Sequence, residues 1–277
     1  MYQKNKEKYI IDLFCGCGGF AEGFERSGYQ SYLSADFDYW ACETFKSRFK
    51  KSKVINEDIT SDKFKAILKK QTKGVKIDGV VAGLPCQSFS SVGRAQDKFS
   101  MAKDKRNYFY KDFFECLKII KPNFFVFENV RGILSAKPNG VKIFDNILEL
   151  SKKLGYVTLD DTSKMVFDTS EYGVPQVRKR VFVIGVKKKY SNLIPKIYDD
   201  LINIHKDKKK FTVKDAISDL PPLKPGEGVE KIRVLKKNKN DYLKKITNSK
   251  FIYNHVARNH NEKDRQRYKY LSKNNWA

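Results

Sequence analysis
Short, nearly continuous apolar runs alternate with stretches of helical spacing over the first two-thirds of the chain. Tyr9–Phe14, Ser31–Ala35, Lys53–Ile55, Ile77–Ala82, Phe124–Phe127, Val157–Val166 and Val181–Val186 read as strands. Phe20–Ser27, Ala41–Phe49, Tyr108–Ile120 and Val141–Leu154 read as helices between them. Strands that are apolar on both faces need a cover on both faces. The pattern therefore predicts an α/β fold with a mostly parallel, doubly wound sheet. Beyond residue 190 it weakens: Leu220–Pro225 is a proline-rich break, Lys231–Lys250 reads as basic and weakly structured, and Asn259–Leu271 suits one polar helix. The expected division is residues 1–190 as one domain and 191–277 as a basic extension.

Ligands of such a sheet bind at the carboxyl ends of its strands, so the residues just after each strand carry the information. The first strand ends in DLFCGCGGF, Asp12 to Phe20, whose Gly16, Gly18 and Gly19 permit a tight turn and close approach of the backbone to a ligand. G-x-G-G is not the dinucleotide G-x-G-x-x-G, and no Lys-Ser/Thr follows to make a phosphate loop. Asp36 ends the second strand at the place where a carboxylate suits the two hydroxyls of a ribose. Phe37 beside it suits an adenine ring. Asp58 follows the third strand and suits an adenine amino group. Each acid alone is commonly a helix cap or a solvated charge. Three in register with three strand ends, Asp12, Asp36 and Asp58, favour an adenosine-bearing cofactor without a pyrophosphate. The fourth strand ends in GLPCQSFS, where Pro85 fixes φ ahead of Cys86. A cysteine there is either a buried packing residue or a nucleophile, and the second requires a nearby positive charge to lower its pKa from about 8.5. Glu128 in ENV and the arginines of QVRKR, Gln176 to Arg180, stand at two further strand ends.

Composition narrows the classes. The chain is 40% hydrophobic, enough for a core, and no apolar run is long enough for a membrane helix. The start of the chain lacks an apolar signal stretch, and its five cysteines show no zinc-type pairing, which suits a reduced cytosol. A formal charge of +24 points to a polyanion, nucleic acid first, against the plainer reading of a lysine-rich composition.

Together, DLFCGCGG, PCQS, ENV and QVRKR, in this order over about residues 8–186, resemble the DNA (cytosine-5)-methyltransferases. YGVPQVRKRVFVIG and DKRNYF look like further blocks of that family. The resemblance implies a Rossmann-like, seven-stranded methyltransferase fold, S-adenosyl-L-methionine as methyl donor, and double-stranded DNA as substrate in a prokaryotic cytosol, as in restriction-modification systems. It implies Cys86 as the attacker on carbon 6 of a flipped cytosine and Glu128 as the group holding N3 and the exocyclic amine. Arg180 would bind O2, with Arg178 near the phosphate or the thiolate. Phe14, Gly16, Gly19, Asp36, Phe37, Asp58, Pro85 and Phe109 match cofactor positions. Gln87, Ser90, Arg94, Arg106 and Gln176 match DNA contacts, and Ser91–Arg106 matches a loop that closes over the base. Cys15 and Cys17 are expected to be packing residues.

Family members continue with a target-recognition region, a block like R-x-x-T-x-R-E and a final helix, none of which is found here. The expectation is that a second polypeptide supplies them, or that the chain is a truncated product. A tRNA methyltransferase of the same lineage and an inactive DNA-binding remnant are the alternatives.

Overall fold
The computed structural model describes residues 7–85, 104–204, 209–234, 240–247 and 249–273. Cys86, Gln87, Ser90 and Arg94, with most of the expected closing loop, lie outside the described residues. Two compact units are present: Met1–Asp168 with Arg178–Asp207, and Thr169–Val177 with Lys208–Ala277.

The first unit is built on the expected sheet. Its strands are β1 (Lys8–Leu13), β2 (Tyr29–Asp36), β3 (Lys53–Asn56), β4 (Gly79–Gly83), β5 (Phe124–Val130), β6 (Tyr156–Thr158), β7 (Val166–Asp168) and β8 (Lys179–Lys187). Their order is β3-β2-β1-β4-β5-β8-β6, with β7 also paired to β8. β1 to β5 pair in parallel and β8 runs antiparallel to β5, β6 and β7. The chain winds outward from β1 to β3 and then returns to β4, which puts the switch point between β1 and β4. Among the described residues this sheet has eight strands rather than seven. Val157–Val166 is not one strand, because Asp161 caps a short 3-10 turn at Thr162–Met165, accepting from Ser163 N and Oγ at 3.0 and 2.6 Å.

The helices are α1 (Gly19–Arg26), α2 (Tyr39–Arg48), α3 (Asp62–Thr72), α4 (Phe109–Ile120), α5 (Ile143–Lys153) and α6 (Leu193–Asn203). α4 buries Tyr110, Phe113, Phe114 and Leu117, a spacing that aligns them on one stripe. Phe113 packs edge-on against Phe125 and Phe127 of β5, at 5.8 and 5.7 Å between centroids. Each ring so buried contributes about 1.5–3 kcal/mol. The expected pattern omitted α3, whose start is capped by Ser61 Oγ accepting from Phe64 N at 3.0 Å.

α6 lies past residue 190, yet it belongs to the first unit. Its Tyr198 is fully buried, and the hydroxyl accepts from Ile184 N (3.0 Å) and donates to Phe182 O (2.9 Å) on β8.

The second unit holds α7 (Val213–Ile217), β9 (Gly228–Arg233), α8 (Asp241–Ile246), β10 (Phe251–Val256) and α9 (Glu262–Lys273). The stretch read as weakly structured therefore contains the end of a strand and a helix. Asn240 joins α7 to α8: its Oδ1 accepts from Leu243 N at 2.9 Å, and its Nδ2 donates to Asp215 O at 2.8 Å. Capping side chains, not apolar periodicity, organise this region. Among the described residues no helix is long and apolar enough to cross a membrane.

Candidate active site
Carboxyl ends of β1, β2, β3, β4 and β5 share one edge of the sheet, and antiparallel β8 brings its first residues to the same edge. The loop after β1 sets the floor. Phe14 takes φ 54°, a left-handed conformation costly for a bulky residue, of the kind that clusters at functional sites. Its ring stacks on Phe109 at 5.7 Å and 18°. Gly16 follows at φ 51°, and its N–H donates to Asp36 Oδ2 at 2.9 Å. Gly18 lies at φ 91° with the Phe45 and Phe49 rings against its backbone, so any side chain there would displace them. Gly19 opens α1 and is exposed.

Asp36 therefore organises the turn: Oδ2 holds Gly16, and Oδ1 accepts from Asp38 N at 3.0 Å. Each oxygen keeps a further lone pair for a hydroxyl. Phe37 is 75% exposed, an uncommon state for a phenylalanine, and presents a bare ring beside Asp36. Asn56 was not singled out from the sequence. Its Nδ2 donates to the carbonyls of Asp36 (3.1 Å) and Phe37 (2.8 Å), fixing the ends of β2 and β3 together. Asp58 follows on this edge, exposed, with Oδ1 engaged by Thr60 N and Oγ1 at 2.9 Å each.

Asp12, the first of the three strand-end acids, is fully buried in β1. Its Oδ2 accepts from Ala21 N at 3.2 Å, and Oδ1 has no partner among the described residues. Burial raises its pKa well above the ordinary carboxylate value. A buried polar atom without a partner next to a glycine turn marks a place built for a polar ligand or water. Together with the open backbone of Gly16 and the bare Phe37 ring, this fits an adenosine bearing an amino-acid tail. Cys15 is buried, and its thiol pKa is pushed up by burial, as a packing residue requires. Cys17 is exposed, so the packing expectation fails for it, because the turn directs that position outward.

A second group of residues gathers at the β4, β5 and β8 ends. Register pairs Gly83 with Glu128 and Val130 with Arg180. Glu128 and Arg180 are thus diagonal neighbours on one face. Arg180 Nε lies 2.8 Å from Glu128 Oε1, an ion pair whose N–H is not aligned on that oxygen. Arg178 Nη2 stands 3.9 Å from the same oxygen. Burial raises the Glu128 pKa, while Arg180 and then Arg178 oppose the rise. Buried Asn129, unremarked in the sequence, makes a long hydrogen bond (3.5 Å) from Nδ2 to Leu84 O and accepts from Val130 N at 2.8 Å. It ties the segment leading to Pro85, half-buried, to the strand carrying Glu128.

Two expected DNA contacts are described. Arg106 is exposed, with Nη2 2.7 Å from Asp104 Oδ2. Gln176 belongs to the second unit, where its N–H donates to Val174 O at 2.8 Å and its carbonyl accepts from Thr169 Oγ1 at 2.8 Å.

Residues 9–277 match the model of the C-5 cytosine-specific DNA methylase family. The Type II methyltransferase M.DdeI of Desulfomicrobium norvegicum is 37% identical over 256 residues, 92% of this chain but 58% of that protein. M1.HphI of Haemophilus parahaemolyticus is 34% identical, over 78% of this chain and 54% of that one. The chain thus spans little more than half the length of these curated relatives. M.AquIA of Picosynechococcus, 31% identical, is matched over 91% of its length. Among solved structures, one described as a prophage-encoded DNA modification methyltransferase of E. coli superposes with a TM-score of 0.65 at 28% identity, covering 86% of this chain and 64% of that one.

Proposed function
The chain belongs to the C-5 cytosine-specific DNA methylase family, and from that premise we propose that it carries the catalytic half of a methyl transfer to carbon 5 of cytosine in duplex DNA. The observation that carries this reading is the Glu128–Arg180–Arg178 cluster, one strand away from the segment that leads through Pro85 to Cys86.

Carbon 5 of cytosine is a weak nucleophile. Cys86 thiolate adds to carbon 6, and the ring electrons move so that carbon 5 becomes enamine-like. Glu128 holds N3 and the exocyclic amine, and its raised affinity for a proton lets it share one with N3 as negative charge builds there. Arg180 holds O2 and Arg178 the phosphate or the thiolate. S-adenosyl-L-methionine, when bound, supplies an electrophilic methyl on a sulfonium to carbon 5. Loss of the carbon 5 proton to a solvent-derived base then expels Cys86 as thiolate and restores the aromatic ring. The target must leave the base stack first, at a cost of a few kcal/mol.

Phe14, Gly16, Gly19, Asp36, Phe37, Asp58, Pro85 and Phe109 would hold the methyl donor. Asp36 takes the ribose hydroxyls and Phe37 the adenine face. Asp36→Ala is expected to weaken S-adenosyl-L-methionine binding about ten- to a hundred-fold, since it removes a charged acceptor and frees the Gly16 turn. Isothermal calorimetry on the full chain checks this; affinity within twofold of wild type would remove Asp36 from the pocket.

The curated relatives are matched over only part of their length, and we propose that a second polypeptide bearing a target-recognition region and a final pocket helix completes this chain. M.AquIA is a precedent for a Type II methyltransferase polypeptide of about this length. The test is methyl incorporation into duplex DNA by this chain alone and together with such a polypeptide. Transfer is expected only in the mixture. Robust, sequence-specific transfer by the chain alone overturns the need for a partner.

A further inference from the structure
The second unit carries a surface that the methyl-transfer chemistry does not use. β9 and β10 form a two-stranded antiparallel ribbon outside the main sheet. Register pairs Ile252 with Ile232, Phe251 with Arg233 and Tyr253 with Lys231. Alternation along a strand puts the two isoleucines on one face and the other four residues on the opposite one. The isoleucines are half-buried, whereas Lys231, Arg233, Phe251 and Tyr253 are exposed. At these three pairs the ribbon is two-faced: Ile232 and Ile252 lie on one side, with exposed Glu230 and Asn254 next along it, and Lys231, Arg233, Phe251 and Tyr253 lie on the other.

That outer face is ordered. Lys231 Nζ sits 4.4 Å from the Phe251 ring centroid and 5.5 Å from that of Tyr253, so two rings hold one cation in place. Lys231 and Arg233 stand two residues apart with like charges facing the same way, which is unfavourable without an anion. No carboxylate of the described residues pairs with either. Five of the unit's acids are committed elsewhere: Asp215 to the Thr212 cap, Glu227 to Lys224 N, Asp241 to Lys244, Glu262 to Arg265 and Asp264 to Arg267. Its segments hold 19 Lys/Arg against 8 Asp/Glu, so the surrounding field is positive as well.

We propose that the outer face of the β9–β10 ribbon, centred on Lys231, Arg233 and Tyr253, binds the phosphate backbone of duplex DNA independently of base sequence. Charge complementarity selects the polyanion. The aromatic rings beneath Lys231 lower the entropy lost on binding and offer Tyr253 Oη as a further donor to phosphate or sugar. A backbone clamp adds affinity without adding sequence choice. The proposal rests on the reading of this chain as acting on DNA and adds the surface that holds it.

The test is binding of the full chain to a short labelled duplex across about 50–200 mM salt, by fluorescence anisotropy. Removing one lysine or arginine from a phosphate should flatten the log–log salt slope by about 0.9, so K231A/R233A is expected to flatten it by about 1.8 and to weaken binding at the low-salt end about tenfold or more. Y253A keeps the charge and should weaken binding a few-fold with little change of slope. K69A/K70A, which removes equal charge from exposed positions on α3, should change neither. Folding of each variant is checked by S-adenosyl-L-methionine affinity, which is set in the first unit and should stay within twofold. A slope for K231A/R233A equal to that of K69A/K70A overturns the proposal. So does a wild-type chain that does not bind duplex, or a ribbon variant that loses only association with a second polypeptide. The methyl-transfer reading is judged separately, by incorporation of label into DNA.

Discussion

Cys86→Ser is expected to lower methyl transfer about ten-thousandfold or more while leaving S-adenosyl-L-methionine affinity within about twofold. Sulfur is decisive because an ordinary thiol, with a pKa near 8.5, already offers some thiolate at neutral pH and needs only modest help from a cation, whereas a serine hydroxyl does not ionise in this range. Help is at hand on the same sheet edge. Arg178 and Arg180 stand at the start of β8, and the segment Leu84–Pro85 that leads to Cys86 is anchored to β5 through Asn129. A covalent readout separates chemistry from binding. DNA containing 5-fluorocytosine lacks the carbon 5 proton whose loss expels the thiolate, so the wild-type chain, with its partner polypeptide where needed, should remain attached to it through denaturing electrophoresis. Cys86→Ser should not. A Cys86→Ser protein that still methylates, or a wild-type protein that transfers methyl without ever being trapped, would take Cys86 out of the reaction. An inactive DNA-binding remnant would show neither trapping nor transfer, yet would still bind the duplex.

Glu128→Gln should reduce transfer about a hundred- to a thousand-fold with the substrate still bound, because the amide preserves the shape of the contact but cannot share a proton with N3. The same substitution carries a signature in stability. Burial raises the folded-state pKa of Glu128 above its unfolded value, with Arg180 and Arg178 limiting the rise. A group raised in this way contributes stability that is fully present below its unfolded pKa and is lost as pH rises through its folded pKa. Wild type should therefore gain on Glu128→Gln as pH falls from neutral towards the ordinary carboxylate range, and the difference should level off below it. Thermal unfolding of both proteins across that range reads the gap directly. A gap that widens in the opposite direction would mean that the arginines, not burial, govern this carboxyl. Retention of full transfer by Glu128→Gln would show that N3 is held by another group.

Much of this was legible before any coordinates, and for a clear reason. Strands covered on both faces are largely apolar, so β1, β2, β4, β5 and β8 announce themselves in composition, and a doubly wound sheet then puts its ligand residues directly after them. Local chemistry at those ends, from the glycine turn to Asp36 and Glu128, could accordingly be read in one dimension. Three things could not. The break between β6 and β7 depends on a cap by Asp161, a hydrogen bond with no hydrophobic trace. Asn56 and Asn129 act by fixing neighbours distant in sequence, and a single polar side chain has no periodicity to betray it. The basic ribbon of the second unit overlaps a stretch that reads as basic and weakly structured, since its order comes from cross-strand pairing and from rings under Lys231. Sequence alone determined which residues stand at the carboxyl edge, because alternation of strand and helix leaves the chain few ways to fold. Only the tertiary structure decided which of them meet: antiparallel β8 sets Arg180 against Glu128, a pairing that depends on register between strands about fifty residues apart.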